Sequence, residues 1–315
     1  MEAEKEDMKC GLIIVNFNEY PVTEELLARI KDAPEIDHIV IVDNASTDDS
    51  FAQLSKYQND RITLLQSGRD GGYSFGNNVG ARYLIEHHNP DIIGIANPDT
   101  AFDGSFAGKV KEVFAAEPDY AVLTGIQLTP SGETGEHPFW RDEGTATAMF
   151  RQLLRETFGR TASLKDSGYI ESIRRSPREL NEVWAVEGSL FFIRREDFEA
   201  AGLFDDSVFM YYEEHILASK LAKRGRKTGI INTITFVHNH RPPKDNSLEA
   251  RYRRGMNSLK SREEASTYYF RTYVTHNHAL WAVYSFLMKL RRLKTRLAYS
   301  ARYVKKYFTA SNPSR

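Results

Sequence analysis

Two adjacent glutamates, a pair of histidines and three turns rich in acids, amides and glycine are the places in this 315-residue chain where residue type and spacing could do chemistry. In Val42-Asp43-Asn44-Ala45-Ser46-Thr47-Asp48-Asp49-Ser50 an acid closes an apolar run and hydroxyls follow it. A carboxylate at a strand's end can accept hydrogen bonds from the ribose or base of a nucleotide, while Ser46 or Thr47 could cap the next helix; an acidic turn with an N-cap explains the same residues. Gly71-Gly72-Tyr73-Ser74-Phe75-Gly76-Asn77-Asn78-Val79-Gly80 would let backbone approach a phosphate at a helix N-terminus. The lysine and spacing of a P-loop are missing, so an ordinary glycine-rich helix start stands beside that reading. In Ala96-Asn97-Pro98-Asp99-Thr100, proline fixes a turn from which Asn97 and Asp99 could project. Asp99 could then hold Mg2+ or Mn2+ against a diphosphate, or the tetrapeptide could be a plain turn.

The glutamates sit in Tyr211-Tyr212-Glu213-Glu214-His215. Glu214 precedes Leu217, Ala218 and Leu221 by three, four and seven residues, which on a helix is one apolar face. It is expected to point inward, and Glu213, seven residues before Lys220, to lie on a lateral polar face. An inward carboxylate is unfavourable unless partnered or used, so Glu214 is either a functional group or a satisfied structural acid. His238-Asn239-His240 ends a strand-like run, with both imidazoles on one face if it stays extended. One of them could complete a metal shell with Asp99, or both could be polar rim residues.

The elements that must position these groups alternate. Gly11–Phe17, His38–Val42, Ile62–Leu65, Asp91–Ala96 and Tyr120–Leu128 read as strands, with helices from about Val22, Asp48, Ser74 and Ser105. This predicts an α/β fold with a mostly parallel, helix-flanked sheet and ligands beyond the carboxyl ends of its strands. Residues 129–180 break the pattern and read as an insertion or acceptor lid. Val183–Arg194 reads as strand, Ser207–Arg224 as helix, Lys227–His238 as two extended runs, and the chain beyond Asn246 as helical to about Phe308. The expected division is a polar tail over 1–10, a catalytic domain over 11–245 and a helical basic region over 246–315.

Composition narrows the classes. Hydrophobic residues at 41% and charged residues at 27% describe a folded chain, and 42 basic against 43 acidic side chains exclude a protein-wide basic field for nucleic acid. A single cysteine, Cys10, excludes an internal disulfide framework and suits a reducing compartment. The acidic start lacks the positive flank of a signal peptide, which makes cytoplasmic residence the expectation. After Glu264 come ten lysines and arginines and no acid. Leu280, Tyr284, Leu287, Leu290, Leu293, Leu297, Ala301, Val304 and Phe308 recur every three or four residues among them. Such a helix over 280–308 suits an anionic membrane surface, the inner face of the plasma membrane here, or packing against the catalytic domain or a second subunit in a homo-oligomer.

Taken in order, these stretches resemble the family 2 glycosyltransferases with the GT-A fold, especially bacterial rhamnosyltransferase-like enzymes of surface polysaccharide synthesis. The resemblance covers about Gly11 to His240 and rests on Val15-Asn16-Phe17-Asn18, Val42–Asp48, Asn77-Asn78-Val79-Gly80, Asn97-Pro98-Asp99, Val186-Glu187-Gly188-Ser189, Gly202-Leu203-Phe204-Asp205 and the Glu213-Glu214 pair. It implies a Rossmann-like GT-A sheet with a helical C-terminal extension. It also implies inverting transfer of a sugar from a nucleotide-diphosphate donor, dTDP-rhamnose or a UDP-sugar, to a hydroxyl of a glycan or lipid-linked glycan. Within it Phe17, Asn18, Asp43, Asn78 and Asn97 would bind the nucleotide, and Asp99 and His238 would hold Mn2+ or Mg2+. Glu187 and Gly188 would line the acceptor or donor-sugar pocket, and Glu214, or else Glu213, would be the base. Glu214 replaces the family's usual aspartate, Ile216 and Lys220 replace an acid and an arginine, and Asn97 replaces the first acid of Asp-x-Asp. Two other functions remain open from these residues: a nucleotidyltransferase that forms sugar nucleotides, and a non-catalytic subunit that binds them.

Overall fold

The computed structural model describes residues 8–135, 138–141, 145–158, 167–241 and 245–311. Their strands are β1 (Cys10–Asn16), β2 (His38–Asp43), β3 (Ile62–Gln66), β4 (Ile92–Ala96), β5 (Thr100–Ala101), β6 (Tyr120–Leu128), β7 (Phe139–Trp140), β8 (Leu180–Val183), β9 (Ala185–Val186), β10 (Leu190–Arg194) and β11 (Lys227–His238). The helices are α1 (Tyr20–Ile30), α2 (Ser50–Leu54), α3 (Gly72–His87), α4 (Gly104–Ala116), α5 (Ala146–Phe158), α6 (Ser167–Arg174), α7 (Arg195–Ala200), α8 (Glu213–Ala222), α9 (Leu248–Tyr269) and α10 (His278–Ser311).

A nine-stranded sheet runs β3-β2-β1-β4-β10-β6-β11-β5, with β8 also on β11. Strands β3, β2, β1 and β4 are parallel, β10 lies antiparallel between β4 and β6, and β11 is parallel to β6. The central strands are apolar at nearly every position because both faces are covered. Leu12, Ile14, Ile39 and Ile41 join one core cluster with Leu26 of α1 and Phe106 of α4. Their alternates Ile13, Val40 and Val42 join the other with Leu84 of α3 and Leu217 of α8. This is the period-two division of a sheet between two helical layers.

The glycines of α3 serve this packing. A Cβ on Gly76 would stand 2.8 Å from Val15 Cγ1, and one on Gly80 2.7 Å from Ile13 Cγ2. Gly72 has φ +81° and lies so near the Phe209 carbonyl that a Cβ would come within 1.9 Å of its oxygen.

Several expectations need correction. Residues 207–212 are turns rather than helix, and the chain enters α8 through Tyr211 and Tyr212 at φ 75° and 68°. The run expected as one strand over 183–194 is broken at 187–189, the loop before β10. The two extended runs over 227–238 are one strand with a register shift between Ile231 and Thr235. Residues 129–180 contain β7, α5 and α6, while the parts of that stretch at 136–137, 142–144 and 159–166 lie outside the described residues, as does 1–7 of the expected tail.

Of the described residues, those within 1–142, 165–209 and 213–240 form one compact unit, which holds the sheet, and those within 143–164, 210–212 and 241–315 form a second. Helix α5, expected within the catalytic insertion, therefore groups with α9 and α10. In that second unit Tyr284 of α10 stacks on Phe270 at 4.0 Å between ring centroids and meets Phe150 of α5 edge-on at 5.6 Å.

Replacing Gly72 with alanine should lower stability by at least about 2 kcal/mol, because it adds a left-handed side chain and a clash with fixed backbone. Urea unfolding of Gly72→Ala against wild type measures this, and an unchanged midpoint would mean the tight approach is not needed.

Candidate functional site

The first unit gathers its polar groups at the carboxyl ends of its parallel strands, where backbone pairing sets their positions. Asn16 and Asp43 are register partners at the ends of β1 and β2. Buried Asn16 donates from Nδ2 to Asp43 Oδ1 at 3.3 Å and to Ser46 Oγ at 3.2 Å, and accepts from Thr23 Oγ1 at 2.9 Å. Asp43 Oδ2 accepts from the Ser46 N–H at 3.2 Å. Asn18, at φ 57°, uses its side-chain oxygen to hold the Thr47 N–H at 2.7 Å, so it shapes the turn beside Asp43. Phe17 is left exposed at 43%. Asn78 is buried, and its amide donates to the Phe204 carbonyl and accepts from the Phe204 N–H, each at 3.0 Å. That pairing braces the loop after α7; the amide expected near the nucleoside is engaged with backbone instead.

Strand β4 ends at the Asn97-Pro98-Asp99 turn, pinned by the Asn97 N–H donating to the Ser189 carbonyl at 2.7 Å. The two residues of β5 then pair antiparallel with β11, Thr100 opposite His238, and the Asn239 N–H donates to the Asp99 carbonyl at 2.8 Å. This places Asp99 Oδ1 3.2 Å from His238 Nε2 and Asp99 Oδ2 3.7 Å from His240 Nδ1. One ligand atom from each of Asp99, His238 and His240 lies within 4.8 Å of the others, a geometry that could hold a metal ion. A donor set of one carboxylate and two imidazoles suits Mn2+ better than Mg2+, which favours oxygen. His240 thus stands with Asp99 and His238, the two residues expected from sequence to hold a metal.

Behind this cluster runs a polar chain. Gln127, near the end of β6, donates to Glu187 and lies 2.8 Å from His238 Nδ1; Glu187 also accepts from Ser189 Oγ at 3.1 Å. Burial alone would lower the His238 pKa, but hydrogen bonds to Asp99 and Glu187 outweigh it and raise it to about 9. Gln127 was not foreseen. The signal was there, as a polar residue near the carboxyl end of the otherwise apolar run Tyr120–Leu128.

The next residue, Gly188, links this chain to the glutamates. Its N–H donates to Glu214 Oε1 at 3.0 Å and its carbonyl accepts from Tyr73 Oη at 2.6 Å. A Cβ here would stand 2.9 Å from both groups, so glycine permits the junction. Both glutamates lie in the first turn of α8. On its apolar side Glu214 borders a small cavity lined by Val122, Val186, Phe191, Leu217 and Thr228. Burial raises its pKa to about 7; the backbone N–H groups of Glu214 and Gly188 oppose that rise, and the charge of Glu187 adds to it. Glu213 is pushed well above the usual carboxylate range by burial and then by the charge of Glu214.

Glu214 lines this cavity with Leu217, Ala218 and Leu221, as its spacing implies, whereas the lateral face expected for Glu213 needs correction. Glu213 is the more deeply buried glutamate, at 6% exposure, and its Oε2 has no hydrogen-bond partner among the described residues. The helix is buried over Ile216–Ser219, which puts Glu213 on a covered face too. Lys220, taken as the mark of a polar face, reaches the Leu203 carbonyl at 3.0 Å.

Glu214, Gly188, Glu187, Gln127, His238 and Asp99 therefore form one connected group. Asp43 lies on the same sheet edge two strands from β4, about 10 Å at ordinary strand spacing.

Residues 12–199 match the family described as Glycosyl transferase family 2. The chain is 26% identical over 245 residues to the low-salt glycan biosynthesis hexosyltransferase Agl10 of Haloferax volcanii, covering 77% of this chain and 70% of that protein. It is 25% identical over 253 residues to the N-acetylglucosaminyl-diphospho-decaprenol L-rhamnosyltransferase of Mycobacterium tuberculosis, covering 72% and 75%. Among solved structures it resembles the mannosyltransferase PcManGT of Pyrobaculum calidifontis, in complex with GDP-Man and Mn2+. That likeness has TM-score 0.51 and 18% identity, over 99% of this chain and 77% of that one. It also resembles GalNAc-T7 with UDP, GalNAc and Mn2+, at TM-score 0.56 and 15% identity, over 98% of this chain and 59% of that one.

A carboxyl that holds its proton to about pH 7 when folded, and to about 4.5 when unfolded, loses stability as pH rises through that window. Glu214→Gln removes the loss. Its unfolding free energy relative to wild type should therefore rise by about 2 kcal/mol between pH 5 and pH 8. Paired urea titrations at the two pH values check this, and a pH-independent difference would contradict the raised pKa.

Proposed function

Because the chain belongs to glycosyl transferase family 2 and carries its GT-A fold, and is thus a glycosyltransferase, we propose that it transfers a hexose or deoxyhexose with inversion from a nucleotide-diphosphate donor to a hydroxyl of a lipid-linked glycan. The observation that supports this most is the carboxyl of Glu214, held through Gly188 beside the Asp99–His238 cluster. The decaprenol-linked substrate named for the Mycobacterium relative favours a lipid-linked acceptor and, with its rhamnosyl transfer, dTDP-rhamnose as donor. Such an acceptor would bring the reaction to a membrane surface, and the expected side is cytoplasmic.

In this reading Asp43 accepts hydrogen bonds from the nucleoside and Phe17 offers an exposed ring to its base. Asn18 and Asn97 act through the turns they hold, and Asn78 through the Phe204 loop. Asp99, His238 and His240 would hold a divalent cation, Mn2+ by donor type, which would supply positive charge to the departing diphosphate. Glu187 and Gln127 orient His238.

Gly188 fixes Oε1 of Glu214 and leaves Oε2 as proton acceptor. The acceptor hydroxyl gives its proton to Oε2 while its oxygen bonds to the anomeric carbon. The bond from that carbon to the diphosphate oxygen breaks on the opposite face, and the nucleoside diphosphate leaves with the electron pair. A base works best with a pKa near the working pH, which favours Glu214 over Glu213, whose carboxyl is pushed well above the usual range by burial and the charge of Glu214.

Nucleoside diphosphate release from dTDP-rhamnose, UDP-N-acetylglucosamine and GDP-mannose, with Mn2+, identifies the donor. With that donor, Glu214→Gln should lower kcat by about 10² or more and leave donor Kd within about threefold. Near-normal turnover in Glu214→Gln with loss in Glu213→Gln would move the base to Glu213. For the metal, His240→Ala should weaken Mn2+ binding at least about tenfold by calorimetry, and an unchanged affinity would remove His240 from the ligand set.

A further inference from the structure

Helix α10 has two apolar faces, and the fold uses one. Tyr284 and Met288 are buried within the second unit, Tyr284 against Phe270 and Phe150. Val283, Phe286, Leu290, Leu293, Leu297 and Val304 are each 37–63% exposed. They recur at spacings of three, four, three, four and seven, so at 3.6 residues per turn they form one stripe on the side away from Tyr284. The regular stripe expected from sequence is thus divided: Tyr284 belongs to the packed face. From Leu290 to Val304 the stripe is set among basic residues, and α10 carries eight lysines and arginines and no acid.

We propose that this exposed face of α10 docks on an anionic phospholipid bilayer, with the helix lying in the plane of the headgroups. Among the described residues no helix is long and apolar enough to cross a membrane. Exposed Leu, Val and Phe would enter the acyl boundary, and Lys289 and Arg296 on one flank would meet headgroup phosphates.

The charge pattern decides against the other occupant such a stripe suggests, a second copy of this chain. Spacings of three and four are also those of a coiled-coil seam. The charged residues that flank the seam are all basic: Lys289 and Arg296 on one side and, on the other, Lys294, which also donates to the Thr157 carbonyl at 2.6 Å. Whether two copies ran parallel or antiparallel, like charges would face each other along the contact, whereas an anionic surface is complementary to every one of them. The inference concerns α10 alone and stands apart from the choice of donor, acceptor and base.

The test is flotation of the full chain with phosphatidylcholine vesicles, with and without phosphatidylglycerol. Wild type should float with the anionic vesicles, and binding should weaken as salt is raised. Phe286→Ser/Leu293→Ser/Leu297→Ser should reduce binding at least about tenfold, with circular dichroism and nucleoside diphosphate release unchanged. Lys289→Glu/Arg296→Glu, which leaves the apolar residues in place, should do the same for anionic vesicles and serves if the triple variant misfolds. Equal flotation of the wild type and the charge-reversed variant would overturn the proposal. So would a concentration-dependent dimer of wild type in lipid-free buffer that the serine variant abolishes, since a second copy would then cover the stripe.

Discussion

A carboxyl removed from water at the start of a helix is the constraint around which this site is built. Glu214 sits in the first turn of α8 between apolar side chains and the N–H of Gly188. Burial favours its neutral form, while the helix's own N–H groups and Gly188 favour the charged one. The balance leaves a group that titrates near neutrality. Glu213 is buried as well and feels the charge of its neighbour, which together push its carboxyl well above the usual carboxylate range. Two adjacent, chemically identical residues are thereby both shifted upward by their surroundings.

The rest of the cluster depends on backbone pairing across the sheet. Strand β5 has two residues, yet its register with β11 sets Asp99 against His238 across 139 positions of sequence. Antiparallel β10, between β4 and β6, brings the Glu187–Ser189 loop between the Asp99–His238 cluster and Glu214. The connection is polar and partly buried, and each member is partnered: Gln127 bridges Glu187 and His238, and Tyr73 holds Gly188. Satisfied networks of this kind rigidify a site, and their geometry is sensitive to the loss of one member.

Much of this was legible in the sequence because local signals matched the global arrangement. Apolar runs ending in Asp43 and Asn97-Pro98-Asp99 located the sheet edge where polar groups gather, and the order of the motifs identified the family. What could not be read from local pattern depended on contacts distant in sequence. Helical periodicity placed Glu214 inward, where it does line the apolar cavity with Leu217, but it put Glu213 on a lateral polar face from Lys220, and that lysine is drawn to the Leu203 carbonyl while Glu213 is buried. Asn78 has the amide a ligand site needs, yet the Phe204 backbone takes it. The glycines at 76 and 80 answer to Val15 and Ile13 on the sheet, a requirement invisible until α3 is laid on β1.

The central claim is that Glu214 is the group whose ionisation permits transfer. The most direct measurement is kcat against pH at saturating donor and acceptor. The structure predicts a rate that rises about tenfold per pH unit below about 7 and levels above it, with this limb absent from Glu214→Gln. A rate already level from pH 5.5 upward, at the ordinary carboxylate range of about 4.3, would contradict it.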